Sequence, residues 1–286
     1  MVAPPPPSDV SAGPVKDKPF KVIIVGGGVA GLALAHCLEK ANVDYILLEK
    51  GVIAPTWGTS ISMHPNGCRI LDQIGALDEV EKYCVPMNRF FNRGPDGHPF
   101  VYDYFFKSVL ERTGYTTLTL ERRLFLKALY DTLEHRERVH EHQRVAAVVE
   151  RKDSVAVVMQ DGSEHVGDLV VGADGVHSLC RELMWKKANE TIEGYISAAE
   201  KRSKQCGGVL ANNYLQDNAD ADILCTAMKT TYVAIIANVP QMPGLGPNDM
   251  HATSFDKVSF LVLCQPDTIY LAAHFKLPHR GAVPLA

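Results

Sequence analysis

The chain has 286 residues, 46% of them hydrophobic, with 29 Lys and Arg against 33 Asp and Glu. Glycine and proline contribute 22 and 17 residues, below the share typical of disordered chains, and six of the prolines fall within the first 19 positions. A net charge of −4 leaves no basic footprint for nucleic acid or anionic lipid, and the length gives room for one large or two modest domains.

The 7 cysteines form no CxxC pair, which argues against a disulfide framework or a zinc knuckle and suits a reducing, intracellular and cytoplasmic setting. The 11 histidines are scattered, so no metal site is expected; His140 and His142 read as the solvated face of one strand. Residues 1–19 form a proline-rich tail without the apolar segment of a signal peptide. The apolar run 22–38 contains Gly26, Gly27, Gly28 and Gly31 and reads as strand, turn and helix rather than a transmembrane segment.

In chain order, Lys21–Val25 is a β-branched run expected as a strand buried on both faces. A helix over Val29–Lys40 and a second buried strand over Asp44–Leu48 complete a strand-helix-strand unit ending at Glu49. Residues 65–76 predict a helix with Pro65 in its first turn. The aromatic stretch 88–106, broken at Gly94-Pro95-Asp96-Gly97, predicts a hairpin whose aromatics mostly fill the core. Residues 121–134 predict an amphipathic helix. Strands are expected over 139–150, 154–160, 164–166 and 169–171, with an Asp161-Gly162 turn. A helix is expected over 177–185 and a loop over 200–228. Antiparallel strands follow at Tyr232–Val239, Val258–Cys264 and 268–277, with Tyr232 expected in the core and no helix past 186.

The chemistry is carried by motifs. Gly26-x-Gly28-x-x-Gly31 lies between strand and helix, with Glu49 placed 18 residues beyond its last glycine. Gly26 permits the tight turn, Gly28 lets the backbone approach a pyrophosphate, and Gly31 brings helix against strand. The carboxylate of Glu49 suits ribose hydroxyls. Asp174-Gly175 follows the strand at 169–171 directly. A helix opening on Arg122-Arg123 sets cations at its positive dipole end, so one of them needs an anionic partner. Glu121 is a surface alternative for Arg122, and Arg123 reads as solvated. The segment 54–62 leads into Pro65-Asn66-Gly67.

Together these motifs resemble the group A FAD-dependent monooxygenases, relatives of para-hydroxybenzoate hydroxylase, and in particular the fungal epoxidases of indole-diterpene and meroterpenoid biosynthesis. Agreement is dense over 20–185 and thin from 186 onward. The resemblance implies an α/β fold: a Rossmann-like FAD-binding domain over 20–85 and 113–185, and a mixed or antiparallel substrate-domain sheet drawn from 86–112 and 186–286. Its implied cofactor-binding residues are Gly26, Gly28, Gly31, Glu49, Arg122, Asp174, Gly175 and Ser62, the last standing where the family usually has Gly. FAD is the implied cofactor and NAD(P)H the co-substrate, with O2 and a small apolar substrate as partners. Epoxidation or hydroxylation of a terpenoid or polyketide-type metabolite follows. No side-chain nucleophile is required, and no catalytic residue is assigned.

The family's third flavin motif, a Gly-Asp opening a C-terminal helix, has no match, so a C-terminally truncated chain is expected. Two alternatives stay open: another class of FAD oxidoreductase, or an impaired or flavin-free paralogue. A halogenase is disfavoured because Trp57 and Trp185 are the only tryptophans.

Overall fold

The computed structural model describes residues 19–56, 59–197 and 231–277. The tail expected before Pro19 and the loop expected over 200–228 lie outside them.

The chain opens with β1 (Lys21–Val25), α1 (Val29–Lys40) and β2 (Asp44–Leu48) at the expected bounds. Then come β3 (Ser60–Met63), α2 (Pro65–Ile74) and α3 (Leu77–Glu81). Gly75 in the left-handed region ends α2. Next are β4 (Arg89–Arg93), β5 (Pro99–Asp103), α4 (Phe105–Thr113), β6 (Leu118–Glu121) and α5 (Arg122–Asp131). A run of strands follows: β7 (Val139–His140), β8 (Val145–Glu150), β9 (Val155–Met159), β10 (Glu164–Gly167) and β11 (Leu169–Gly172). The described chain closes with α6 (Leu179–Thr191), β12 (Tyr232–Val239), β13 (Asp249–Ser254), β14 (Val258–Cys264) and β15 (Ile269–Lys276).

The fold is α/β. Its centre is a parallel sheet ordered β11-β1-β2-β7. Both faces of β1 and β2 are covered, which is why they are continuous apolar runs. Ile24 and Leu47 pack against Leu32 of α1 and Phe125 and Leu129 of α5. Ile23, Ile46 and Leu48 pack on the other face against Val157 and Met159 of the antiparallel meander β10-β9-β8. Buried His36 on α1 meets the Leu129 carbonyl of α5 at 2.8 Å, tying the helices together.

The second large sheet has the order β12-β15-β14-β13-β4-β5 and is mixed: β13 and β4 run parallel, its other pairs antiparallel. Met87, Phe106, Leu263 and Tyr270 form its own core. Gln265 fastens this sheet to the segment before β4, accepting the Val85 N–H at 2.9 Å and donating to the Val85 carbonyl at 3.0 Å.

Several expectations are corrected. The strand expected over 139–150 is two strands in different sheets, because the chain turns at His142 (φ 58°) and is tied to the end of β2. There the His142 amide donates to Gly51 O and the Gln143 amide to Glu49 O. His140 and His142 therefore share no strand face. The hairpin of β4 and β5 forms, but Phe105 opens a helix instead of ending a strand. Of the described aromatics in 88–106 only Phe106 is buried; Phe100, Tyr104 and Phe105 are exposed. Tyr232 is likewise exposed, because β12 is an edge strand. The last helix among the described residues runs on past Trp185 to Thr191.

Candidate functional site

The ends of β1, β2 and β11 converge. The Gly26 N–H donates to Leu48 O at 2.8 Å, and the Ala173 N–H donates to Val25 O at 2.7 Å. Gly26 has φ +108°, and a Cβ there would lie 2.5 Å from the Ala173 carbonyl oxygen and 2.9 Å from Asp174 Cα. Only glycine lets the two motifs touch. A Cβ on Gly31 would lie 1.9 Å from Gly26 O, so α1 rests directly on the turn.

Gly28 is different. Nothing lies within 4 Å of the position its Cβ would take. It is the N-cap of α1 and leaves the first helical amides without a side-chain cap. Both oxygens of Glu49 are already held, Oε2 by the Gly27 N–H at 2.7 Å and Oε1 by the Gly51 N–H at 2.9 Å. Each keeps a second lone pair for a hydroxyl donor. Asp174 Oδ2 accepts the Cys180 N–H at 3.2 Å, as an acid capping α6 would. Ser178 is the N-cap proper, accepting the Arg181 N–H at 3.0 Å. Asp174 Oδ1, however, is buried without a partner. Gly175 (φ +79°) has no neighbour within 4 Å of its Cβ position. Burial, with the Asp174 carboxylate beside it, pushes the Cys180 thiol up to about 11.

Ser62 and Arg122 stand on a second unit, the antiparallel pair β3–β6, backed by the same core through Leu118 and Leu120. The Ser62 hydroxyl meets that of fully buried Thr119 at 2.9 Å. Arg122 opens α5, its N–H bound to Thr59 O at 2.7 Å. The expected pairing is reversed: Glu121 meets Arg123 at 3.3 Å, and the Arg122 guanidinium has no acidic partner among the described residues. Thr119, Gly27 and Glu141, which accepts the Ile53 N–H at 2.6 Å, went unread in the sequence. Their roles depend on partners far along the chain, and only the adjacency of Gly27 to the glycine motif could have flagged one of them.

An open groove of about 1430 Å³ runs along β11 between α6 and the β8–β9 turn, lined by Phe20, Leu169, Leu183, Met184 and Lys187. Gly26, Gly28 and Glu49 do not line it. It reaches the strand-end cluster at Gly172 and at Cys180, whose N–H donates to Asp174.

A family model described as an FAD binding domain matches residues 19–233. The chain belongs to this FAD-binding family. It is 47% identical over 259 residues to "FAD-dependent monooxygenase DEP2" of Alternaria brassicicola, a match covering 91% of this chain and 44% of that relative. To "FAD-dependent monooxygenase atmM" of Aspergillus flavus it is 46% identical over 189 residues, 66% of this chain and 39% of the relative. The chain thus spans less than half the length of these curated relatives. The DEP2 match also exceeds the 20–185 stretch to which dense agreement was expected to be confined. Among solved structures, Klebsiella pneumoniae HpxO complexed with FAD and uric acid superposes with a TM-score of 0.67 at 22% identity, covering 91% of this chain and 57% of that one, which shows a shared fold.

FAD is this family's cofactor, and the strand-end cluster fits it. The bare Gly28 surface leaves room for phosphates beneath helix amides. Glu49 and the orphaned Asp174 oxygen offer acceptors to hydroxyl donors, and a buried acceptor without a donor is costly unless a ligand completes it. No helix among the described residues is long and apolar enough to cross a membrane.

Proposed function

We propose that the chain serves an FAD-dependent monooxygenase that uses NAD(P)H and O2 to epoxidise or hydroxylate a small apolar metabolite of terpenoid or polyketide type. The observation that carries this reading is the contact of Gly26 with the Ala173–Asp174 backbone, which joins two flavin motifs into one cradle. The names of the fungal relatives support the reaction class. When bound, FAD supplies the redox and oxygen-transfer chemistry. The chain's own residues would bind and orient it: α1 amides would hold the phosphates, Glu49 and Asp174 would accept from hydroxyls, and Arg122, without an acidic partner among the described residues, would offer a cation.

In this reading 20–85 and 113–185 bind the flavin, while 86–112 and 186–286 belong to the substrate-binding part. In support, β4 and β5 hydrogen-bond into the same sheet as β12–β15. The half-buried Phe90, Met250 and Leu261 on that sheet suit an apolar substrate.

The test is to purify the chain and measure flavin absorbance, the bound FAD after acid release, and NAD(P)H oxidation with prenylated or polyketide substrates. Visible flavin at one equivalent is expected. A colourless protein that takes up no added FAD would overturn the reading. Gly28→Ala separates binding from folding. Its φ of −77° suits any residue and its Cβ meets nothing, so the melting temperature should hold while FAD affinity falls about tenfold or more, roughly 1.4 kcal/mol.

A further inference from the structure

The β4–β13 pairing is the parallel junction of the six-stranded sheet and joins strands whose facing residues lie 160 positions apart. It is the strand pairing that holds the β4–β5 hairpin in that sheet. Two side-chain bridges cross it. Arg89 grips the buried Asp249 carboxylate through Nε at 2.8 Å and Nη2 at 2.6 Å. Arg93 donates from Nε to Nδ1 of His251 at 3.3 Å and from Nη1 to Gly97 O at 2.8 Å.

His251 is 4% exposed. Its ring stacks on Phe91, with centroids 4.7 Å apart and planes 14° from parallel, and both guanidinium carbons sit 5.3 Å from the Phe91 centroid. A guanidinium can only donate. Nδ1 of His251 must therefore be the acceptor, and the proton of the neutral ring sits on Nε2, which is buried without a partner. A proton added at Nδ1 would turn that acceptor into a donor facing Arg93.

We propose that His251 is an acid-sensitive latch: its protonation breaks the Arg93 bridge and loosens the β4–β5 hairpin from β13. The charged groups facing the ring are Arg93 and Arg89 from β4 and Asp249 from β13; on the β14 side its cross-strand neighbour is Val262. Protonated His251 makes three cations around one carboxylate. Burial first, then Arg93, hold its pKa below the ordinary 6.5. The folded state therefore binds fewer protons than the unfolded state between that lowered value and 6.5. Stability is full above this window and falls as the pH drops through it.

Amide exchange of the 286-residue chain, corrected for intrinsic rates, tests this at about pH 7.5 and about pH 5.5. The expected result is that residues 89–103 lose about tenfold protection on acidification relative to residues 269–276. His251→Gln, which keeps an acceptor for Arg93 but does not titrate, should lose nothing. His251→Phe, which keeps the stack on Phe91, is the second variant should His251→Gln fold poorly. Equal acid loss in the non-titrating variant, or none in the parent chain, overturns the latch.

Discussion

Gly31→Ala is expected to cost about 3 kcal/mol and to lower the melting temperature by about 6–12 °C, although alanine is the better helix former by about 1 kcal/mol. The sign is decided by the clash. The new methyl would lie 1.9 Å from the Gly26 carbonyl oxygen, and that atom is backbone, not the yielding end of a side chain. Either α1 lifts from the turn or Gly26 shifts, and Gly26 is already pressed against Ala173 and Asp174. FAD affinity should fall with stability, whereas Gly28→Ala should lose affinity alone. Thermal denaturation and flavin titration of both variants check this; a Gly31→Ala protein as stable as its parent would mean that α1 does not rest on the turn.

Arg89→Met should destabilise the chain by about 3–5 kcal/mol, because it strands a buried carboxylate without its counterion. Asp249 has a side chain only 1% exposed, and both of its oxygens are taken by the Arg89 fork. The double variant Arg89→Met, Asp249→Asn removes the stranded charge and should recover most of the loss, so the two changes are strongly non-additive. Urea denaturation of the two single variants and the double variant measures the coupling. Additive losses would mean that Asp249 is hydrated when Arg89 is gone.

What the sequence made legible follows the physics of each element. β1, α1 and β2 appear at their expected bounds, because strands buried on both faces are unbroken apolar runs and the glycines between them each have one job. β12, β14 and β15 were visible as apolar runs rich in β-branched and aromatic residues, although β12 lies largely exposed at the sheet edge. The short strands β3 and β6 were not: they have 4 residues each, and their pairing depends on partners such as Ser62 and Thr119, 57 positions apart. β13 is polar at its start and is stabilised by Arg89, which no local pattern reveals. α4 opens on two phenylalanines that look like the end of a strand.

At the site, Gly26, Gly28, Gly31, Glu49, Asp174 and Gly175 do gather at the strand ends. The orphaned oxygen of Asp174 and the exchange of Glu121 from Arg122 to Arg123 are matters of side-chain rotation, which residue spacing does not encode.

The register of β1 against β11 bears on how the molecule is made. Lys21 and Asp168 meet across 147 residues, and the strand beside them pairs over the same separation. A parallel pairing over so long a loop gains nothing until the intervening chain is largely in place, so it forms late and slowly. The Gly26–Asp174 contact exists only once that pairing has formed. Flavin uptake during refolding is therefore expected to lag behind helix formation, and its half-time reports the closure of the central sheet.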